Sequence, residues 1–179
     1  MMCSQKSMSN IKTIVLGGLL IAIGIALSLI FHSVGGTQLG SILLPLHFTT
    51  LLAGLVLGQW MGLAVGALTP LISAFTIGMP PLSPPIAIFM VPELATYGFF
   101  AGFFEKRHLN IYLNLAITLL LGRLVYSLAY YAIGTIVGIH LKPIIAILAS
   151  FAVGIPGVVI QFILIPPIFF AMKRKFQNE

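Results

Sequence analysis

The sequence predicts an all-α integral membrane protein, a single bundle of six transmembrane helices. Hydrophobic residues make up 59% of its 179 residues and charged residues only 7%, whereas about a quarter of the residues of an ordinary soluble domain are charged. The mean hydropathy is +1.13. Because one transmembrane helix takes about 20 apolar residues, the length accommodates roughly six spans in one domain, residues 1–179.

The first half of the chain predicts three spans, of which the second and third form a tight hairpin. Residues 11–31 are continuously apolar, and the Gly-rich, polar stretch 32–43 is expected to be a loop at a membrane face. The next two spans, 44–57 and 60–77, have only two residues between them. Small residues recur along both spans, which allows two helix backbones to approach closely in lipid. They are Ala53, Gly54, Gly58, Gly62 and Gly66.

The second half predicts three more spans after the prolines that end the hairpin. We expect them at 86–104, 111–139 and 143–172. The last two are longer than a bilayer requires, so they should tilt or project from it. Gln161 lies deep in the sixth span; it could face a pocket or bond to a neighbouring helix, and its depth favours the neighbouring helix.

The basic residues flank the apolar spans and form no single patch, which indicates topology and argues against nucleic-acid binding. With both termini in the cytoplasm, every loop or tail cation except Lys142 lies on the inner side, so the positive-inside rule selects this orientation. The inner cations are Lys6, Lys12, Lys106, Arg107, Lys173, Arg174 and Lys175. His47 and Thr76 then lie in the outer half of the bundle.

Several function classes are excluded by the sequence. It contains no Walker A lysine motif, no Gly-x-Ser-x-Gly, no His-Glu-x-x-His and no aspartate, so we expect no ATP hydrolysis by this chain. The only cysteine, Cys3, permits neither an intrachain disulfide nor a Cys-based metal site. We expect no metal, because Glu93 is the only acidic residue at membrane depth and a metal needs several ligands.

Two ionisable residues fall inside predicted spans, Glu93 in the fourth and Arg123 in the fifth. A charge at membrane depth is costly unless it faces protein or water, so both are candidates for function. The two side chains could pair and tie the helices together, or bind a ligand, and pairing does not exclude a ligand. A guanidinium can bind both oxygens of a carboxylate.

Helical spacing extends these candidates to further residues. Residues three, four and seven positions after Arg123 share its helix face, and residues three and four positions after Glu93 share that of Glu93. His47 and Thr76 add polar groups at the ends of the hairpin. The resulting candidate substrate-binding residues are Arg123, Glu93, His47, Tyr130, Tyr126, Thr76, Ser127, Thr96 and Tyr97.

The first span carries a strip of small residues, Gly18, Ala22 and Ala26, at a spacing of one helical turn. Such a strip permits close contact between helices. The pattern alone leaves open whether the contact is internal to the bundle or is made with another protein.

These features together resemble the substrate-binding S components of energy-coupling factor (ECF) vitamin transporters, and most of all the pantothenate type. The resemblance covers essentially the whole chain. It rests on the six spans, the Ala22 and Ala26 strip, and two sequence runs, LPLHFTTLLAGLVLGQWMGLAVGALTPLISAFTIGMPP and PELATYG. The N-terminus, MMCSQ, lacks the histidine of metal-type S components, which argues against nickel or cobalt.

The resemblance implies a multi-pass protein of the bacterial plasma membrane that binds a vitamin from outside and holds no cofactor of its own. Its implied partners are a transmembrane scaffold subunit and two cytoplasmic ATPases that use ATP and Mg, besides the vitamin and membrane lipid. Ala22 and Ala26, extended by Gly18, match the strip that contacts the scaffold. The first outer loop, with Gln38, would cap the ligand.

Pantothenate would place its carboxylate on Arg123 and its hydroxyls and amide on His47, Thr76, Glu93 and Tyr130. Two alternatives within the class stay open. Pyridoxine or hydroxymethylpyrimidine would stack on Tyr126 and Tyr130, and cobalamin would need a wider mouth. Outside the class, the chain could be a standalone secondary carrier or a structural membrane subunit.

Overall fold

The computed structural model describes residues 10–83, 85–138 and 151–178, and these form helices without any strand. Six segments of the described residues are long and apolar enough to cross a membrane, so the all-α, six-span prediction is confirmed. The helices are α1 (Asn10–Leu43), α2 (Pro45–Leu57), α3 (Gln59–Ile77), α4 (Ile86–Lys106), α5 (Ile111–Val137) and α6 (Ile155–Asn178). Cys3, Lys6, Lys142 and the expected connection 139–143 lie outside the described residues.

The stretch 32–43 is helical, so the predicted loop is wrong. Gly35 and Gly36 have non-helical backbone angles, with a φ of +63° at Gly36, and α1 continues beyond them. The side chains of His32 and Ser33 donate hydrogen bonds to carbonyls four residues earlier, which lets polar residues remain within a helix. The two glycines therefore turn the chain by a kink, and the second membrane-crossing segment begins before the proline of α2.

The sixth span is predicted as one unbroken helix over 143–172, and the structure differs from this prediction. The beginning of that range lies outside the described residues. Residues 151–153 are helical, Gly154 lies in a turn, and α6 begins at Ile155. Pro156 is the second residue of α6, where a missing N–H removes no intrahelical hydrogen bond. The Gly-x-Pro sequence thus ends one helix and starts another.

A close glycine seam joins α2 and α3, as the spacing of small residues predicts, and α4 shares it. A Cβ atom added at Gly62 would overlap the backbone of both Gly54 and Gly98, and one at Gly66 would overlap the backbone of Leu94. Only residues without a side chain permit helix backbones to approach this closely. The seam therefore holds three helices together and fixes α2 beside α4 at Gly54.

α5 packs on α4 through Asn114, Thr118 and Gly122, which recur at every fourth residue and are all buried. Asn114 Nδ2 donates to a backbone carbonyl of α4 at 2.9 Å, and the Thr118 hydroxyl donates to Asn114 Oδ1 at 3.1 Å. A Cβ atom at Gly122 would overlap the Tyr97 ring. These contacts set the position of Arg123, the next residue of α5.

Replacing Gly98 by alanine should lower the thermal stability of the protein, because the added Cβ would overlap the Gly62 carbonyl. Overpacking of a close-packed core costs about 1–3 kcal/mol. Thermal unfolding of purified variants in one detergent measures the effect. Gly18→Ala is the matched control, since nothing lies within 4 Å of a Cβ at Gly18. Equal losses of stability in the two variants would contradict the proposed tight seam.

Candidate functional site

A cavity of about 420 Å³ lies between the end of α1, the start of α2, and the facing parts of α4 and α5. Its volume falls within the range of about 300–1,000 Å³ that is usual for small-molecule sites. The walls are mainly apolar, and the prolines between α3 and α4 close one side. The polar side chains that line it are Ser28, His32, Gln38, Ser41, His47, Glu93, Arg123 and Tyr126.

Glu93 is the centre of the polar contacts, although its side chain is only 1% exposed. The Tyr97 hydroxyl donates to Oε1 of Glu93 at 2.9 Å, and Nη1 of Arg123 donates to the same oxygen at 3.1 Å. No described residue donates a hydrogen bond to Oε2. The pair therefore links α4 to α5, as the pairing alternative predicts, and both residues also line the cavity.

Arg123 reaches the cavity from α5, and its side chain is 20% exposed. Its guanidinium lies over the Phe151 ring, 4.8 Å from the ring centroid. A guanidinium carries five N–H donors, and Glu93 is the only described side chain that accepts one of them. The other donors can bind the two oxygens of a ligand carboxylate.

His47, at the start of α2, is 3% exposed and lies against Tyr97, with ring centroids 5.3 Å apart. Its Nε2 is 3.5 Å from Oε1 of Glu93, but neither ring nitrogen has a hydrogen-bond partner among the described residues. A buried polar group without a partner costs about 1–3 kcal/mol. Since His47 lines the cavity, a ligand can supply the missing hydrogen bond.

Tyrosines of α5 form the aromatic side of the site. Tyr126 lines the cavity and stacks with Tyr130, with centroids 6.4 Å apart and an interplanar angle of 20°. Tyr130 packs edge-on against Phe89 behind it. Tyr97 is fully buried and does not line the cavity, so its hydroxyl acts on the site through Glu93.

Besides Tyr97 and Tyr130, three candidates lie away from the cavity wall, namely Thr76, Thr96 and Ser127. Each hydroxyl donates to the backbone carbonyl four residues earlier in its own helix, at 2.7, 2.7 and 3.0 Å respectively. Thr76 is exposed on the outside of α3. Hydroxyls in apolar surroundings satisfy themselves locally in this way, so helical spacing alone does not bring them to the site.

Sequence reasoning included Gln38 of α1 but missed Ser28 and His32, which also line the cavity. Ser28 is buried, and its carbonyl accepts a hydrogen bond from His32 Nδ1 at 2.6 Å. A Cβ atom at Gly40 would overlap the His32 ring, so the helix beyond the kink lies directly on this imidazole and brings Gln38 over the cavity. The spacing of Ser28 and His32, four residues apart in an apolar helix, is the sequence pattern that could have indicated this side of the cavity.

The small-residue strip of α1 lies on the outside of the bundle. Gly18, Ala22 and Ala26 are all exposed, which removes the alternative of packing within the described bundle. Gln161 of α6 is fully buried, yet no described residue hydrogen-bonds its side chain. The expected bond to a neighbouring helix is therefore wrong for the part of the chain that the structure describes.

The described residues contain no cluster of three His, Cys, Asp or Glu that could hold a metal ion. No curated protein and no solved structure matches the chain. The family model of the ECF transporter substrate-specific component matches residues 12–169, which include nearly the whole bundle and every wall of the cavity. Components of this family are multi-pass transport subunits that work with scaffold and ATPase subunits. The chain belongs to the family of substrate-specific components of ECF transporters.

Proposed function

We propose that the protein binds pantothenate as the S component of an ATP-driven vitamin uptake transporter in a bacterial plasma membrane. Family membership supports the transporter class. The observation that favours pantothenate is the position of Arg123. Glu93 holds its guanidinium at the cavity and accepts only one of its N–H donors. An acidic ligand suits this arrangement because one carboxylate can take two parallel N–H donors.

Pantothenate matches the other polar groups of the cavity as well. Its carboxylate would lie on Arg123, one hydroxyl would donate to Oε2 of Glu93, and its amide or second hydroxyl would supply the missing partner of His47. The dimethyl centre of the vitamin would lie against apolar residues such as Met79 and Met90. Gln38, above the cavity, would cover the bound molecule.

A neutral ring vitamin is the second candidate, because Tyr126 offers a stacking surface. Pyridoxine or hydroxymethylpyrimidine would use it together with Glu93 as hydrogen-bond acceptor, but would leave the free donors of Arg123 unused. A cavity of about 420 Å³ favours either small vitamin over cobalamin. In a structural subunit that binds no ligand, the buried imidazole of His47 would keep no hydrogen-bond partner among the described residues, which is energetically unfavourable.

The transport cycle would depend on other chains. This chain would bind no cofactor, and ATP and Mg would be used by two cytoplasmic ATPases, joined to it by the scaffold subunit. With both termini in the cytoplasm, the cavity would open to the outside. Ala22 and Ala26, with Gly18, would contact the scaffold, since they form a smooth exposed face on α1.

Calorimetry of the purified protein against a panel of vitamins should detect pantothenate as the tightest ligand. Arg123→Lys should weaken its binding about tenfold or more, which corresponds to about 1.4 kcal/mol, because lysine keeps the charge beside Glu93 but lacks the planar fork. Arg174→Lys, at the exposed end of α6, is the matched control. Tighter binding of another vitamin, or unchanged affinity in Arg123→Lys, would overturn the assignment.

Tyr97→Phe should also weaken pantothenate binding, by about tenfold, since a hydrogen bond to a charged group contributes about 1.5–3 kcal/mol. This change removes only the hydroxyl that donates to Glu93 and keeps the ring beside Gly122. Tyr112→Phe serves as control, because Tyr112 is exposed at the start of α5. If Tyr97→Phe binds as tightly as the wild type, the hydroxyl does not position Glu93.

Tryptophan at Ala22 or Ala26 should leave vitamin binding unchanged and block uptake by the complete transporter in vesicles, because the added bulk would prevent close contact with the scaffold. Leu120→Trp adds bulk to an exposed position of α5 and should retain uptake. Uptake by the Ala22→Trp and Ala26→Trp variants would exclude the strip as the scaffold contact. Uptake without any ATPase, driven by a proton gradient, would instead indicate a secondary carrier.

A further inference from the structure

Aromatic side chains of α3 and α4 form a continuous row at the end of α4 that is remote from the cavity. Trp60 is 69% exposed and packs edge-on against Phe99, with centroids 5.5 Å apart. Phe99 stacks on Phe103 at 6.0 Å with an interplanar angle of 16°. We call Trp60, Phe99 and Phe103 the aromatic strip.

Arg107 ends this strip. Phe99, Phe103 and Arg107 are spaced by one helical turn each, so they follow one face of α4 and its C-terminal cap. The guanidinium carbon of Arg107 lies 4.3 Å from the centroid of the Phe103 ring. A cation over an aromatic face is attracted by the ring quadrupole, so the ring fixes the guanidinium at the head of an apolar surface.

The positive charge at this end of the bundle is not balanced by the described residues. Glu105 is the only carboxylate that they place there, and it is bonded to Lys173 of α6 at 2.6 Å. Lys106 and Arg107 are exposed, as are Arg174 and Lys175 nearby in sequence to Lys173. Arg107 therefore has no carboxylate partner in the described part of the chain.

We propose that Arg107 and the aromatic strip form a binding site for an anionic phospholipid. The phosphate would lie on the N–H edge of the Arg107 guanidinium, where bidentate hydrogen bonds can form. One acyl chain would run along Phe103, Phe99 and Trp60. The site is separate from the vitamin cavity, since neither Arg107 nor any residue of the aromatic strip lines that cavity.

The geometry favours a lipid over an acidic protein segment. The strip belongs to two helices that are long and apolar enough to cross a membrane. Its rings that are further from Arg107 therefore face hydrocarbon, which a soluble peptide does not enter. Aromatic residues at the membrane interface and basic residues beside the headgroups are the groups that bilayers favour at this depth. A phospholipid supplies both a phosphate for the guanidinium and an apolar chain for the rings.

Native mass spectrometry tests the proposal on the full chain, released from nanodiscs that contain equal amounts of phosphatidylglycerol and phosphatidylcholine. The ratio of the two lipids retained by the protein is the readout. The wild type should retain phosphatidylglycerol preferentially. Arg107→Gln should lower the ratio about fivefold, the factor that corresponds to about 1 kcal/mol for one cation at an anionic surface.

Two further variants separate a built site from the general attraction of a basic surface. Arg174→Gln removes the same charge at the same end but leaves the strip intact, so it should lower the ratio much less than Arg107→Gln. Phe103→Leu keeps an apolar side chain but removes the ring beneath the guanidinium, and it should lower the ratio as well.

Each contrary outcome would overturn the proposal. Retention of both lipids in equal amounts by the wild type, or an unchanged ratio in Arg107→Gln, would show that Arg107 binds no anionic lipid. Equal losses in Arg107→Gln and Arg174→Gln would mean that only the summed charge attracts the lipid. An unchanged ratio in Phe103→Leu would exclude the aromatic strip from the site, and binding of an acidic peptide at Arg107 in place of lipid would replace the assignment.

Discussion

The contact between Glu93 and Arg123 is the interaction on which both the bundle and its cavity depend. Each charge would be costly alone at membrane depth, and removing one partner of a buried pair leaves an uncompensated charge, a loss of about 3–5 kcal/mol. The pair is made possible by the packing of α5 on α4, where Asn114 and Gly122 fix the register. The residues that bind the ligand in our proposal therefore also hold the helices together, which restricts how freely either can be substituted.

The glycine seam explains how a third helix joins this pair. Because Gly62 lies against the backbones of both Gly54 and Gly98, α2 approaches α4 closely enough for His47 to lie 3.5 Å from Glu93. This side of the cavity is built on tightly packed backbones. The opposite side is the part of α1 beyond the kink at Gly35 and Gly36, which lines the cavity with Gln38 and Ser41.

Hydropathy was sufficient to predict the six spans, and the cost of intramembrane charge pointed to Glu93 and Arg123, which the structure places in contact at the cavity. The course of residues 32–43 could not be predicted in the same way, since a polar, Gly-rich stretch has the composition of a loop even when its side chains bond within a helix. Helical periodicity likewise cannot say whether a hydroxyl such as that of Thr76 faces a cavity or its own backbone. The close contact at Gly122 could not be predicted from the sequence, because it is made with the Tyr97 ring of the neighbouring helix.

The central claim is that an acidic vitamin binds directly to the guanidinium held by Glu93. A structure of the protein in lipid nanodiscs with bound pantothenate tests it most directly. We predict the vitamin carboxylate within hydrogen-bond distance of Arg123, a vitamin hydroxyl at Oε2 of Glu93, and the Arg123 to Glu93 contact still in place. A vitamin carboxylate that points away from Arg123, or density for the vitamin outside the cavity, would contradict the claim.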